Sequence, residues 1–426
     1  MNILPANLRF GAGKSVKRLE DQRLLTGQGH FVDDKPQDGA LWLYVLRSPH
    51  AHARIKAIDT SAALAINGVA VVYTGADLVA DNIGTIPTLP IFKRPDGSPM
   101  QAPPRRLLAH EVVRFAGEPV AAVLAVSRAD AQTAAEAIAV EYEILPAVIN
   151  PAEALASGAP VVWPDAPDNI AAAMSYGDAA ATEAAFARAA HVVSLDITSQ
   201  RLVPSAMEPR STMAEVDRKT GRLTLHVQSQ TPTATRDILA DVVLKRPKDS
   251  VHVLVGDIGG GFGHKVNLYP EDGVVAYAAT KLKRTVRWRG DRLDDFVGGH
   301  HGRDLTSTGE FALDEKGRVL AFRVRSLGGT GAYLTGAGVI IPLVLGPFVA
   351  TGVYDLPLIH FDIKAVLTHT APTGPYRGAG RPEAVFIVER LMDAAARQIG
   401  MDPRQIRKVN YIKPSELAVL IQANVA

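Results

Sequence analysis

The residues best suited by type to do chemistry fall in three short stretches of this 426-residue chain. Gln228-Ser229-Gln230-Thr231-Pro232 offers an amide side chain at Gln230. Gly256 to Lys265 (GDIGGGFGHK) has five glycines in ten residues. Pro372 to Pro382 (PTGPYRGAGRP) carries two guanidiniums, Arg377 and Arg381. Glycine at this density costs backbone entropy and calls for positive φ or a close approach to the backbone. A glycine-rich loop entered from a strand presents main-chain N–H groups to an anion or a polar cofactor. The Gln230 amide, the N–H groups of Gly260, Gly261, Phe262 and Gly263, and Arg377 and Arg381 together suit a multiply anionic ligand, such as a pyrophosphate-bearing cofactor. Two plainer readings stand beside this one: a ligand-free glycine hairpin, and pairing of Arg377 and Arg381 with Glu383 or Asp393.

Familiar nucleotide loops do not fit. A G-x-G-x-x-G pattern begun at Gly259 puts His264 where the third glycine belongs. A Walker A loop fails around Lys265, which His264 precedes and Val266 follows. Gly13-Lys14-Ser15 lacks both the earlier glycine and a strand before it. His300-His301, near Asp304, matches no helical metal-ligand spacing and reads as solvated or hydrogen-bonded. Glu118, in Gly117-Glu118-Pro119, leads into a buried strand and reads as a structural hydrogen-bonding acid. Glu208 reads as a possible buried acid near the Gln230 loop. No Ser/His/Asp arrangement stands out, and no serine sits in an elbow motif.

The elements that must hold these loops are read from periodicity and capping. Strands are expected at Leu41 to Leu46, Val69 to Tyr73, Ala121 to Val126 and Val140 to Ile144. A helix over Ala129 to Ala139 follows the capping residue Ser127. The proline-bearing stretch from Ile83 to Pro104 reads as an exposed loop. Further strands are expected at Val192 to Ser199 and Leu223 to Ser229, joined through a turn at Asp217 to Gly221. Thr233 to Leu244 reads as a helix and Ser250 to Val255 as the strand entering the glycine loop. Beyond that loop a helix starts at Pro270, where proline and the acids Glu271 and Asp272 suit a helix N-terminus. A strand at Val286 to Arg289, a hairpin over Thr306 to Ser326, and a second glycine-rich stretch at Gly328 to Gly338 come next. A strand at Ile359 to Thr368 and an amphipathic helix over Arg381 to Ile399, ending at Gly400, complete the pattern. The organisation expected is an α+β fold. It comprises an arm over residues 1–15, a first domain over 16–145, a surface connector over 146–169 and a second domain over 170–426.

Composition narrows the field. A net charge of +2 with 21% charged residues gives no reason to expect nucleic acid or an anionic membrane as partner. No apolar run is long enough to span a bilayer. The N-terminus lacks the apolar core of a secretory signal. With no cysteine, the chain can form neither a disulfide nor a thiolate metal site, and it cannot bind an iron–sulfur cluster through cysteine. A cytoplasmic location is the matching expectation.

Taken in order, RLEDQRLLTGQGHFVDD, RSPHAHARI, AGEPVAAVLA, MEPRSTMAEVD, QSQTP, DIGGGFGHK, HHGRD, PTGPYRGAGRPEA and ERLMDAAARQIGMDPRQIR give a pattern distributed along nearly the whole chain. It resembles the large, molybdopterin-binding subunit of the xanthine dehydrogenase and aldehyde oxidase family, in its carbon-monoxide-dehydrogenase-type branch. The resemblance implies an α/β hammerhead domain up to about residue 145 and the first half of a molybdopterin-binding domain after it. It implies that Gln230 hydrogen-bonds an oxygen on molybdenum. Gly260, Gly261, Phe262 and Gly263 would pack against the cofactor, and Arg377 and Gly378 would lie in a loop facing the metal, with no residue of this chain binding it directly. It also implies a molybdopterin cofactor in its cytosine dinucleotide form, with 2Fe–2S and FAD groups carried by small and medium partner subunits in a dimer of heterotrimers.

Three departures matter. Carbon monoxide dehydrogenases place a copper-binding cysteine where this chain has Gly378, so hydroxylation of an N-heterocycle or an aldehyde is favoured instead. Val266 replaces a glutamate of purine-oxidising relatives, which disfavours xanthine. The G-x-G-E segment bearing the family's general-base glutamate is also missing. The only Gly-Glu pairs are Gly117-Glu118 and Gly309-Glu310, in a different context. A subunit split over two genes, or a truncated and inactive product, is therefore expected, and the chain alone should not turn over.

Overall fold

The computed structural model describes residues 15–36 and 38–413. Most of the arm expected over residues 1–15, and the tail from Glu416, lie outside the described residues. The strands are β1 Leu41–Arg47, β2 Ala53–Asp59, β3 Val69–Thr74, β4 Val112–Val113, β5 Pro119–Ala125, β6 Ala139–Ile144, β7 Ile170–Gly177, β8 His191–Ser199, β9 Ser211–Val216, β10 Leu223–Val227, β11 Val251–Leu254, β12 Val286–Arg289, β13 Leu305–Leu313, β14 Val319–Gly331 and β15 Ile359–Leu367. They form a seven-stranded sheet in the order β11-β10-β9-β12-β1-β5-β3, a five-stranded sheet β7-β15-β14-β13-β8, and a three-stranded sheet β4-β2-β6. The large sheet joins strands from both sides of the connector. β1 runs parallel to β12, with Leu41 opposite Val286.

Local chemistry explains many of the elements. β5 is buried along its whole length, as its unbroken apolar run requires. Ser127 caps the Arg128–Glu136 helix by accepting from the Asp130 amide. The Pro270–Leu282 helix starts on proline, and Asp272 Oδ2 accepts from the Tyr269 amide at 3.0 Å to close the first turn. That helix is buried from Pro270 to Ala279 and packs on β9. The Arg381–Ile399 helix ends in a left-handed glycine, Gly400.

Four expectations need correction or refinement. β8 is not joined to β10 through the Asp217–Gly221 turn. β10 pairs with β9, which the sequence reading missed, and β8 pairs with β13 in the other sheet. β9 begins with four consecutive buried residues, so it lacks the alternation that marks a half-exposed strand. The Ile83–Pro104 stretch is not merely an exposed loop. It straps across β7, with Lys93 bridging Ala173, the Gln101 amide donating to Ala171 O at 3.1 Å, and Met100 buried. The expected helix over Thr233 to Leu244 is α-helical only for Pro232–Asp237, and a π-helix follows over Ile238–Val243. Finally, the connector is exposed over more than half its length but is also pinned into the core. Val148, Val162 and Ala166 join the core around the five-stranded sheet, and buried Asn169 accepts from the Val162 amide at 2.9 Å.

Candidate functional site

The three chemistry-bearing loops meet. The Gln230 amide N–H donates to Lys265 O at 2.8 Å, and Gln230 Oε1 accepts from the Gly263 amide at 3.0 Å. The Arg377 amide donates to Phe262 O at 3.0 Å. The glycines at this junction are dictated by space. A Cβ on Gly263 would stand 2.5 Å from Pro375 O, with φ at +97°, and one on Gly261 would stand 2.7 Å from Gln230 Oε1. The chain can cross here only without side chains, and this leaves the main chain open to approach.

The outer surface of this junction is rich in unused donors. Among the described residues, the amides of Gly260, Gly261 and Phe262 donate to no protein acceptor. With its Oε1 engaged, Gln230 has its NH2 group to offer. Phe262 adopts φ of +52° and its residue is 44% exposed. The Arg377 guanidinium stands 6.0 Å from the Phe262 ring centroid. The expected alternative pairings of Arg377 and Arg381 are not formed. Glu383 is held by Arg303 at 3.1 Å and Asp393 by Arg407 at 2.9 Å. Arg377 and Arg381 are exposed, and neither makes an ion pair among the described residues. Gly378 has φ of +98°, and a Cβ there would stand 2.5 Å from Pro382 Cγ. A multiply anionic, partly aromatic group fits this surface, where N–H donors and a cation surround an exposed ring.

Beneath the loop lies a network of paired charges. Glu208 clamps its two ends: Oε2 accepts from the Gly259 amide at 2.7 Å and from Lys265 Nζ at 2.9 Å. At the loop's start Asp257 accepts from the His30 amide at 2.6 Å and from Arg23 Nη2 at 2.7 Å, and Arg23 is the main cause holding its carboxyl down at about 2. Deeper, Arg210 donates to Asp295 at 3.0 Å and to Glu271 at 3.2 Å, and its guanidinium covers the Tyr269 ring at 4.0 Å. Arg47 reaches the other oxygen of Glu271 at 2.6 Å and Asp294 at 2.8 Å. Burial acts to raise the Glu271 carboxyl, but Arg210 and Arg47 outweigh it and hold it at about 2. Asp272, without such a partner, is pushed up to about 7, mainly by burial. His264 is 1% exposed. Its Nε2 lies 3.6 Å from Asp295, too far for a hydrogen bond, and neither ring nitrogen has a hydrogen-bond partner.

Glu118 is the structural acid expected: it accepts from the Arg114 amide at 2.6 Å and from the Tyr333 hydroxyl at 2.5 Å. His300 and His301 are both hydrogen-bonded, as expected. His300 is fully buried and faces Tyr269 and Pro375 O, while His301 pairs with Phe296 O. Sequence reasoning missed the Arg210–Glu271–Asp295 cluster. Its only signal was the acids placed at the start of the helix at Pro270. Among the described residues, no group of three His, Cys, Asp or Glu side chains is placed to hold a metal.

Residues 162–411 match the molybdopterin cofactor-binding domain, and residues 26–146 match the aldehyde oxidase and xanthine dehydrogenase a/b hammerhead domain. This chain belongs to the xanthine dehydrogenase and aldehyde oxidase family. It is 34% identical to the nicotine 6-hydroxylase large subunit of Paenarthrobacter nicotinovorans, over 96% of this chain and 49% of that one. It is 35% identical to the carbon monoxide dehydrogenase large chain of Afipia carboxidovorans, over 95% and 50%. Among solved structures it is similar to quinoline 2-oxidoreductase from Pseudomonas putida 86, with a TM-score of 0.87 and 37% identity over 95% of this chain and 50% of that one. The chain thus spans about half the length of these relatives. The nicotinate dehydrogenase large molybdopterin subunit of Eubacterium barkeri differs in this respect. At 29% identity, the match covers 93% of this chain and 88% of that one. Matched relatives of this family therefore differ in length. In family terms the chain is a molybdopterin-binding large-subunit polypeptide with the hammerhead and molybdopterin-binding architecture. Among the described residues, no helix is long and apolar enough to cross a membrane.

Proposed function

We propose that this polypeptide supplies one wall of the active site of a cytoplasmic molybdenum hydroxylase that oxidises an N-heterocycle or an aldehyde. One observation carries the proposal: unpaired N–H groups at Gly260 to Phe262, the Gln230 amide and the Arg377 guanidinium converge beside an exposed Phe262. When bound, the cofactor supplies the redox and oxygen-transfer chemistry. The chain's own residues bind and orient. Gln230, fixed through Oε1, would offer N–H donors to the cofactor. The Gly260–Gly263 backbone lets the cofactor approach without side-chain interference. Phe262 packs against it, and Arg377 neutralises its charge from the facing loop together with the amide of Gly378. The Arg210 cluster keeps this surface in register without entering the chemistry.

The proton acceptor for water-derived oxygen is assigned to a glutamate in the half of the cleft that lies outside this sequence, on a second polypeptide if the subunit is split. Small iron–sulfur and medium FAD subunits would carry electrons away, in a dimer of heterotrimers, and the pterin would be the cytosine dinucleotide form. The Eubacterium barkeri relative, matched over 88% of its length, is a family precedent for a large molybdopterin subunit of about this size. Carbon monoxide oxidation is disfavoured. The chain has no cysteine, and the tight, left-handed Gly378 position gives a copper-binding side chain no room.

The test is reconstitution. The chain is produced alone and together with the product of any downstream frame encoding a G-x-G-E segment, and molybdenum and pterin are measured. The paired assembly should retain both and oxidise an N-heterocycle or aldehyde with oxygen from labelled water, while the chain alone should show no turnover. An assembled pair that holds no molybdenum, or turnover by the chain alone, overturns the proposal.

A further inference from the structure

His300 has no role in the reading above, yet it stands where the two principal loops join. It is 0% exposed and its ring stacks on Tyr269, with planes 5° apart and centroids at 5.7 Å. Nε2 lies 3.2 Å from Pro375 O, two residues before Arg377. Nδ1 lies 3.2 Å from the Asn267 side-chain amide and 2.5 Å from the Tyr269 hydroxyl. That hydroxyl also lies 2.7 Å from His264 O, in the glycine loop. A Cβ on Gly374 would stand 2.5 Å from the imidazole, so the loop bearing Arg377 is laid directly on the ring. The backbone beside it repeats the connection: the His301 amide donates to Pro372 O at 2.9 Å, and the Gly374 amide to His301 O at 2.7 Å.

The proton inventory selects one form of the ring. A carbonyl only accepts, so Nε2 must carry a proton to bond Pro375. The Asn267 NH2 group only donates, and the Tyr269 hydroxyl gives its single proton to its nearest acceptor, Nδ1 at 2.5 Å, so Nδ1 is bare. Both requirements are met by the neutral imidazole protonated at Nε2. Burial, first, and neighbouring His264 push the His300 pKa well below the usual imidazole range, which agrees. The Asn267 amide thus selects the tautomer, and the tautomer supplies the donor.

We propose that His300 is a positioning residue that holds the Arg377 loop against the Gly260–Gly263 loop by donating from Nε2 to Pro375 O, with Asn267 setting its tautomer. This rests on reading the two loops as a cofactor wall, but the positioning itself can be measured without cofactor. The measurement is amide hydrogen exchange on the full chain. The reporter is the Arg377 amide, which bonds Phe262 O across the joint, and the control is the Phe322 amide in the five-stranded sheet, which bonds Leu358 O.

His300→Phe keeps a ring on Tyr269 and removes the donor. It should speed exchange at Arg377 by about tenfold, the scale of one lost hydrogen bond, and leave Phe322 unchanged. His300→Gln, which can place an N–H near the former Nε2, should restore most of the protection. Unchanged protection at Arg377 in the Phe variant, equal acceleration at both amides, or a Gln variant no better than Phe overturns the proposal. If His300→Phe does not fold, Tyr269→Phe makes a second test by removing the hydroxyl between Nδ1 and His264 O. It should speed exchange at Gly263 or Arg377, and no change at either overturns the proposal. In the reconstituted assembly, molybdenum content should fall in His300→Phe and recover in His300→Gln. Loss of molybdenum from the wild-type assembly would instead strike the cofactor reading and leave the exchange result standing.

Discussion

Arg210 and Arg377 stand beside the same glycine loop and have opposite surroundings. Arg210 is buried, and its guanidinium is divided among Asp295, Glu271 and the Tyr269 ring. Arg377 is exposed, forms no ion pair among the described residues, and looks onto Phe262. A buried charge needs its partners whether or not a ligand is present. An exposed guanidinium can wait in water at little cost and remain free for a ligand. The two sides of the loop therefore differ: the underside fixes its shape, and the outer side carries the binding proposed above.

Four measurements break or sharpen that comparison. The largest effect is expected from Arg210→Met, which removes one buried partner each from Glu271 and Asp295, leaving them Arg47 and Arg292. Urea unfolding should show a loss of about 3–5 kcal/mol, the usual cost of breaking a buried pair from one side. A loss under about 1 kcal/mol would put Arg210 in the same class as Arg377.

Next comes Gly263→Ala, whose methyl group meets the Pro375 carbonyl. Overpacking of this kind costs about 1–3 kcal/mol, read by the same titration. An unchanged midpoint would mean that the loops are not locked together.

Asp272→Asn tests the pH response of the underside. The folded protein binds a proton at Asp272 more tightly than the unfolded chain does, since burial raises its pKa to about 7. Stability from this group is full at low pH, declines as pH rises from about 4 to about 7, and is level above. Glu271 and Asp295, both held at about 2, act in the opposite sense: their stability is full above the ordinary carboxylate range and is lost as pH falls toward 2. Asn at 272 should abolish the first decline and keep the acid-side loss. An unaltered slope between pH 4 and pH 7 would remove Asp272 from the account.

The smallest stability effect is expected from Arg377→Ala. The unfolding free energy should stay within about 0.5 kcal/mol of wild type, while molybdenum and pterin retained by the reconstituted assembly fall. A variant that loses stability yet keeps full cofactor would reverse the assignment of the two arginines.

The sequence displayed the outer side of the site more clearly than the underside. Clustered glycines, Gln230 and the arginines of Pro372 to Pro382 are unusual in local composition, so they draw notice without a structure. The Arg381–Ile399 helix was readable for a similar reason, since its apolar period and Gly400 are local signals. Arg210, Asp295 and Glu271 carry the opposite signal. Charged residues taken singly look like surface, and only folding brings these three together. Ser211–Val216 was missed because a strand covered on both faces has no alternation to read. His300 was read as solvated or hydrogen-bonded; it is hydrogen-bonded, but its partners Tyr269 and Pro375 lie far away in sequence and could not be named.

The shared seven-stranded sheet has a consequence for the order of events during synthesis. β1, β3 and β5 emerge early, but the second edge of β1 pairs only with β12, so Leu41 must wait for Val286. Until then a strand with alternating buried positions offers an open hydrogen-bonding edge, the kind of surface that recruits strangers. The first portion of the chain cannot finish folding while it is still the only portion made, so a ribosome stalled before residue 286 should release a polypeptide that depends on chaperones.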